Sequence, residues 1–227
     1  MESDQWDTQG TPVKRTALGR KRQESATCTL TKDGRVAVYM GDDARFECIY
    51  KFVSAHKVRP GHDAAARAAN ARLLDERTLH AARSDADGTG RWLELRHGAP
   101  GLDAAAGFAS QAEVLVHARL AADAVGATQM DRPEWIAVHP QTGEVYVTLT
   151  NNDNRKPGEV DAANPPAENR WGQILRWQEA GGDPSADEFA WDPFVLAGNP
   201  LAYPKGDPRA GPAAITPANT FNSPDGL

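Results

Sequence analysis

The chain has 227 residues, with 25 Lys plus Arg, 31 Asp plus Glu and a net charge of −6. That is room for one large domain or two small ones, without the net basic surface of a general nucleic-acid binder. Two cysteines exclude a disulfide framework and a four-thiolate zinc site, and no apolar run approaches the ~18 residues of a membrane span.

The opening Met1-Glu2-Ser3-Asp4-Gln5 has neither a basic n-region nor an apolar h-region, so the chain as it stands reads as cytoplasmic. Residues 1–25 form a polar N-terminal segment carrying the basic cluster Lys14, Arg15, Arg20, Lys21 and Arg22. From Ala26 the pattern becomes β-like. Strands are expected at 26–31 and 35–40 around the turn Lys32-Asp33-Gly34, and a third at 47–53. Residues 55–72 read as a loop with some helical tendency. Two further strands, 78–83 and 91–95, flank the turn Asp85 to Gly90.

One main helix is expected over 111–125. Ser110 and Glu113 have capping-box spacing, Val114, Leu115, Ala118, Ala122 and Val125 share a face, and Gly126 closes it. Strands at 135–138 and 144–149 follow as a hairpin, then a polar loop over 151–170 and strands at 173–177 and 189–196. The tail from 198 is rich in Pro and Gly. Evenly spaced short strands give an all-β fold. About nine strands at four per blade make a partial β-propeller of about two to three blades over 26–227, with the helix inserted.

Phosphate-loop, zinc-protease and nucleophile-elbow signatures are absent, and the six histidines show no close pairing. Hard oxygen ligands at strand ends and in loops are the better lead: Asp42-Asp43, Glu134, Asn151-Asn152-Asp153 and Asp225. Most of these also suit ordinary turns. Glu134 does not, because neither turn geometry nor helix capping asks for a glutamate between Pro133 and Trp135. The basic cluster reads either as a solvated segment or as Arg20 or Arg22 facing an oxyanion.

The stretch Met130-Asp131-Arg132-Pro133-Glu134-Trp135-Ile136-Ala137-Val138-His139-Pro140, followed by Gly143 to Asn152, resembles the PhoX-type alkaline phosphatase family. Tyr39-Met40-Gly41-Asp42-Asp43, Asn169-Arg170-Trp171-Gly172 and Phe221-Asn222-Ser223-Pro224-Asp225-Gly226-Leu227 agree with it in order. The resemblance implies a propeller phosphatase that hydrolyses small phosphate monoesters at a calcium and iron site and leaves the cell by the twin-arginine route. It places Glu24, Asp42, Glu134 and Asp225 at metal-ligand positions. It gives Arg20 a catalytic role at the developing charge, and Arg22 and Asn152 contact with substrate.

Departures from the family pattern include Lys21, Gln23, Cys48 and Arg77, the last where a glycine is usual. The Thr-Cys-Glu-Glu-Asn motif that carries the iron-binding cysteine is also absent. The chain is therefore expected to be an internal segment, weakly active or inactive alone, whose missing blades are its implied partners. A calcium-dependent lactonase-like propeller hydrolase and a non-catalytic propeller module remain the alternatives.

Overall fold

The computed structural model describes Glu2, Ser3 and residues 9–227; Met1 and 4–8 of the polar N-terminal segment lie outside the described residues. The strands are β1 (Gln23–Leu30), β2 (Arg35–Asp42), β3 (Arg45–Glu47), β4 (Ile49–Lys57), β5 (Leu79–Ser84), β6 (Thr89–Leu95), β7 (Met130–Asp131), β8 (Pro133–Val138), β9 (Val145–Leu149), β10 (Gln173–Glu179) and β11 (Glu188–Leu196). Three helices accompany them: α1 (Ala64–Asn70), α2 (Gln111–Val116) and α3 (Ala118–Val125).

Nine strands form one antiparallel sheet in the order β1-β2-β4-β5-β6-β11-β10-β9-β8, and β3 pairs with β7 apart from it. The sheet bends back on itself until its two end strands lie side by side. There the Thr27 hydroxyl donates to the Ile136 carbonyl, and the Ile136 N–H donates to Ser25 Oγ at 3.2 Å. Side chains thus cover part of two edges that backbone pairing leaves open, and the result is a nearly closed, barrel-like sheet.

Period-2 alternation explains what fills it. Along β10, Leu175, Trp177 and Glu179 point inward, while Ile174, Arg176 and Gln178 are only half-buried. The interior joins Tyr39 and Trp92 from one half of the sheet to Trp177 and Phe189 from the other, with Tyr39 and Trp177 ring centroids 5.5 Å apart, edge to face. A second apolar layer lies outside β2, β4 and β5. There Val38, Tyr50, Phe52 and Leu79 pack under Val114 and Ala118 of the helices. Strands β2 and β4 are consequently buried on both faces. The outer face of the other half-sheet is bare, and Trp135 (41% exposed) and Phe194 (52%) stand in solvent.

A charged network crosses the interior. Lys51 on β4 meets Glu179 on β10 at 3.3 Å, and Glu179 also accepts from Tyr39 Oη at 2.7 Å and Trp92 Nε1 at 3.0 Å. Burial pushes the Glu179 carboxyl up and the Lys51 ammonium down to about 8.

Several local expectations change. The expected helix breaks at His117 (φ −109°, ψ 39°) into α2 and α3. Residues 55–72 contain a true short helix, capped where the Ala66 N–H donates to Asp63 Oδ1 at 2.7 Å. The folded unit starts before residue 26, because Ala17 and Leu18 enter the core and β1 begins at Gln23. The expected third strand splits around Cys48 into β3 and β4. Cys28 is exposed, and only Cys48 is a buried thiol.

Candidate metal and anion site

Strand β2 ends at Asp42 and strand β8 starts at Pro133, and the two meet over Gly41. A Cβ on Gly41 would lie 2.5 Å from the carbonyl oxygens of both Pro133 and Glu134. Only glycine lets the two backbones approach this closely. Glu24 lies opposite Gly41 in the β1–β2 register, so it enters at the same level.

Both end strands are irregular at this level. The register shifts between Glu24 and Thr27 in β1 and between Pro133 and Ile136 in β8. Among the described residues, six non-glycines have positive φ. Three of them adjoin the candidate ligands: Ser25 (56°) follows Glu24, Arg132 (60°) lies two residues before Glu134, and Ser223 (47°) lies two before Asp225. Such backbone costs about 1–3 kcal/mol per residue and concentrates at functional sites.

Glu134 is buried, and its Oε1 lies 3.0 Å from Arg132 Nη2. Arg132 Nε also donates to Asp43 Oδ1 at 2.8 Å. Burial raises the Glu134 carboxyl to about 7, and the nearby Asp43 and Asp225 carboxylates add to the rise. Asp225 arrives on the tail, which is laced to the end of β9. The Thr148 hydroxyl donates to the Asp225 carbonyl at 2.5 Å, and the Thr150 hydroxyl donates to the Pro224 carbonyl at 3.0 Å. The Ser223 N–H donates to the Trp171 carbonyl at 2.7 Å.

The structure therefore gathers Glu134, Asp43, Asp225 and Arg132, with Glu24 half-buried at the same strand level. Asp42 is directed elsewhere. Its carboxylate accepts from Arg119 Nε at 2.8 Å, from Arg119 Nη2 and from the Arg22 N–H at 3.0 Å, and so ties α3 to β2. Neighbouring strand residues point to opposite faces, and Asp43 is the one that joins Glu134.

Arg20 and Arg22 line a separate cavity of about 500 Å³ beside α2 and α3, and none of Asp43, Arg132, Glu134 or Asp225 lines it. Asn152 is buried in the frame of the long loop. Its N–H donates to the Asn169 carbonyl at 2.6 Å, and it adjoins Asp131, which Arg155 and Asn169 hold at 2.7 and 2.9 Å. The sequence reading passed over Arg132, Thr148 and Thr150. Arg132 stood directly before the Pro133-Glu134 pair. Thr148 lies in β9 and Thr150 just beyond it, but their role depends on a tail more than 70 residues away.

The donors are hard oxygens, which suits calcium or ferric iron in kind. Among the described residues, no three His, Cys, Asp or Glu side chains form a ready-made metal cage. Arg132 instead stands between Asp43 and Glu134 as their counter-ion.

The family described as alkaline phosphatase PhoX matches residues 1–227. A solved structure, Pseudomonas fluorescens PhoX in complex with vanadate, a transition state analogue, is 54% identical with a TM-score of 0.90. The match covers 98% of this chain and 39% of that one, so the chain spans well under half the length of its relative. No curated protein matches. The 54% identity over nearly the whole chain and the full-length family match establish that this chain belongs to the PhoX family of alkaline phosphatases.

Proposed function

We propose that the chain forms part of a metal-dependent phosphatase that hydrolyses small phosphate monoesters at the Glu134 site. The observation that carries this reading is the buried Glu134 near Asp43 and Asp225, with Arg132 between Glu134 and Asp43. The relative's complex with vanadate supports it. Calcium is the resident cation that fits the oxygen donors, with iron beside it. Bound cations would neutralise phosphoryl oxygens and lower the pKa of a bound oxygen nucleophile.

The chain's own residues divide the remaining work. Glu134, Asp43 and Asp225 concentrate negative charge where cations are held, with Glu24 the further carboxylate at that level. Arg132 offers a planar set of N–H donors suited to phosphoryl oxygens. Glu134 holds a proton near neutral pH and gives it up when a cation arrives, since metal ligands bind deprotonated. Iron is the less favoured cation here, because Cys28 lies exposed on β1 and Cys48 lies in the apolar layer.

The two half-sheets read as adjoining propeller blades. The bare outer face of Trp135 and Phe194 takes further blades from sequence outside this chain. The place of action is the periplasm or outside the cell.

Calorimetric titration with calcium, on the chain and on Glu134→Gln, tests the site. Tenfold or greater weakening in the variant is the expected result, with protons released on binding. Equal affinity in both proteins removes Glu134 from the site. Phosphate release from a generic monoester, compared with hydrolysis of a lactone, separates the phosphatase from a lactonase-like enzyme. Calcium binding with neither activity identifies a binding module.

A further inference from the structure

Arg132 is the single residue between β7 and β8, and those two strands belong to different sheets. On one side of it Asp131 pairs with Arg45 of β3, and on the other Pro133 pairs with Leu149 of β9. The chain changes sheets through a left-handed residue, with φ of 60° at Arg132. A side chain disfavours that conformation, and a residue before a proline prefers extended backbone. Arg132 does not choose this turn by itself, so its two flanks must hold it.

The flank after it is held by the main chain, where the Thr150 N–H donates to the Arg132 carbonyl at 3.2 Å. The flank before it is held by a buried charge. The Asp131 carboxylate accepts from Arg155 Nε at 2.7 Å and from Asn169 Nδ2 at 2.9 Å, and all three side chains are buried. Arg155 also donates to the carbonyls of Gln129 and Glu159, at 2.8 and 2.7 Å. One guanidinium thus grips the chain at both 129 and 131 and fastens it to the long loop. From the turn so held, Arg132 reaches Asp43 Oδ1 with Nε at 2.8 Å and Glu134 Oε1 with Nη2 at 3.0 Å.

We propose that Asp131 is the positioning residue of Arg132. Its pairing with Arg155 and Asn169 fixes the left-handed turn, and the turn sets where the Arg132 guanidinium presents its donors to a phosphoryl oxygen. That last step rests on the phosphatase reading of the site. A buried ion pair gives little net stability over an apolar pair, and its value here lies in the geometry that it specifies. Asn152, which adjoins the Asp131 carboxylate, then serves the site from behind, through Asp131.

The first readout needs no ligand. In the chelator-treated chain the Arg132 Nε–H should exchange slowly with water by heteronuclear NMR, and in Asp131→Asn that exchange should quicken about tenfold or more. The second is calorimetry with inorganic phosphate on the calcium-treated chain. Phosphate affinity should fall about tenfold or more in Asp131→Asn, while calcium affinity stays close to that of the unaltered chain. Arg155→Lys keeps the buried charge paired and loses the fork that reaches Gln129 and Glu159. It should move both readouts the same way by a smaller factor, and it decides the matter if Asp131→Asn does not fold. A role in stability alone would lower the melting temperature of the variants and leave the Arg132 signal as it was, and that result overturns the proposal. Fast exchange of the Arg132 Nε–H in the unaltered chain overturns it as well. A signal that quickens in the variants of a chain that binds no phosphate upholds the positioning and overturns the phosphatase reading.

Discussion

Glu134 is a carboxylate kept where ionisation is disfavoured. Its folded value, about 7, lies above the ordinary 4.5, so the fold binds more protons than the unfolded chain between those values. Stability from this group is full below pH 4.5 and is lost as the pH rises towards 7. In chelator-treated protein, Glu134→Gln should therefore raise the melting temperature at pH 8 and leave it nearly unchanged at pH 4.5. The gain should be on the order of 1 kcal/mol after solvent screening. Equal effects at both pH values would show that the carboxyl titrates normally. Arg77 gives a second residue-scale prediction. Its φ of 142° is one that L side chains rarely adopt, so Arg77→Gly should stabilise by about 1 kcal/mol, read as a higher denaturation midpoint. An unchanged midpoint would count against strain there. The strain at Arg77 was legible in the sequence, because a turn glycine was wanted and missing. The pairing of Asp42 with Arg119 was not, since it joins residues 77 apart that only the fold brings together.

The meeting of β2 and β8 depends on one missing side chain. Gly41→Ala would push the Pro133 and Glu134 carbonyls away from β2. The cost should be about 1–3 kcal/mol from overpacking, together with a loss of calcium affinity, because Glu134 moves with β8. Thermal melts and calcium titration of the same sample would check both. Wild-type behaviour in each would mean that the strands can separate freely. Strands were readable because β10 alternates with period 2 and the β1–β2, β5–β6 and β8–β9 connections carry Asp33-Gly34, Asp87-Gly88 and Thr142-Gly143. Strands β3 and β7 left no signal, being three and two residues long and paired across more than 80 positions. The break at His117 was hidden as well, since the apolar spacing of 114, 115, 118 and 122 runs straight through it.

Across the whole molecule, the Lys51–Glu179 network joins the two halves of the sheet through the aromatic interior. Removing one partner leaves the other charge buried, so Lys51→Met should cost about 3–5 kcal/mol. The double change Lys51→Met with Glu179→Leu should recover most of that in a denaturant titration. A double variant no more stable than the single one would show that the polar network itself is needed. The bare outer face of Trp135 and Phe194 makes a second prediction at this scale. The isolated chain should self-associate, and a sharp monomer peak in sizing would count against it. An all-β chain of this strand content was readable from turns and alternation. The closure of β1 against β8 was not, because it rests on bulges and hydroxyl contacts rather than on a repeating pattern.

The lacing of residues 223–225 to Thr148 and Thr150 bears on the order of events in the life of the chain. The site draws on positions 24, 43, 134 and 225, nearly the full span of the sequence. Both half-sheets can form while the site still lacks its last carboxylate. On the proposed function, cation capture would be a late act that follows folding, and the ion would work as a clasp on the tail. Its grip would report that the tail has reached the end of β9.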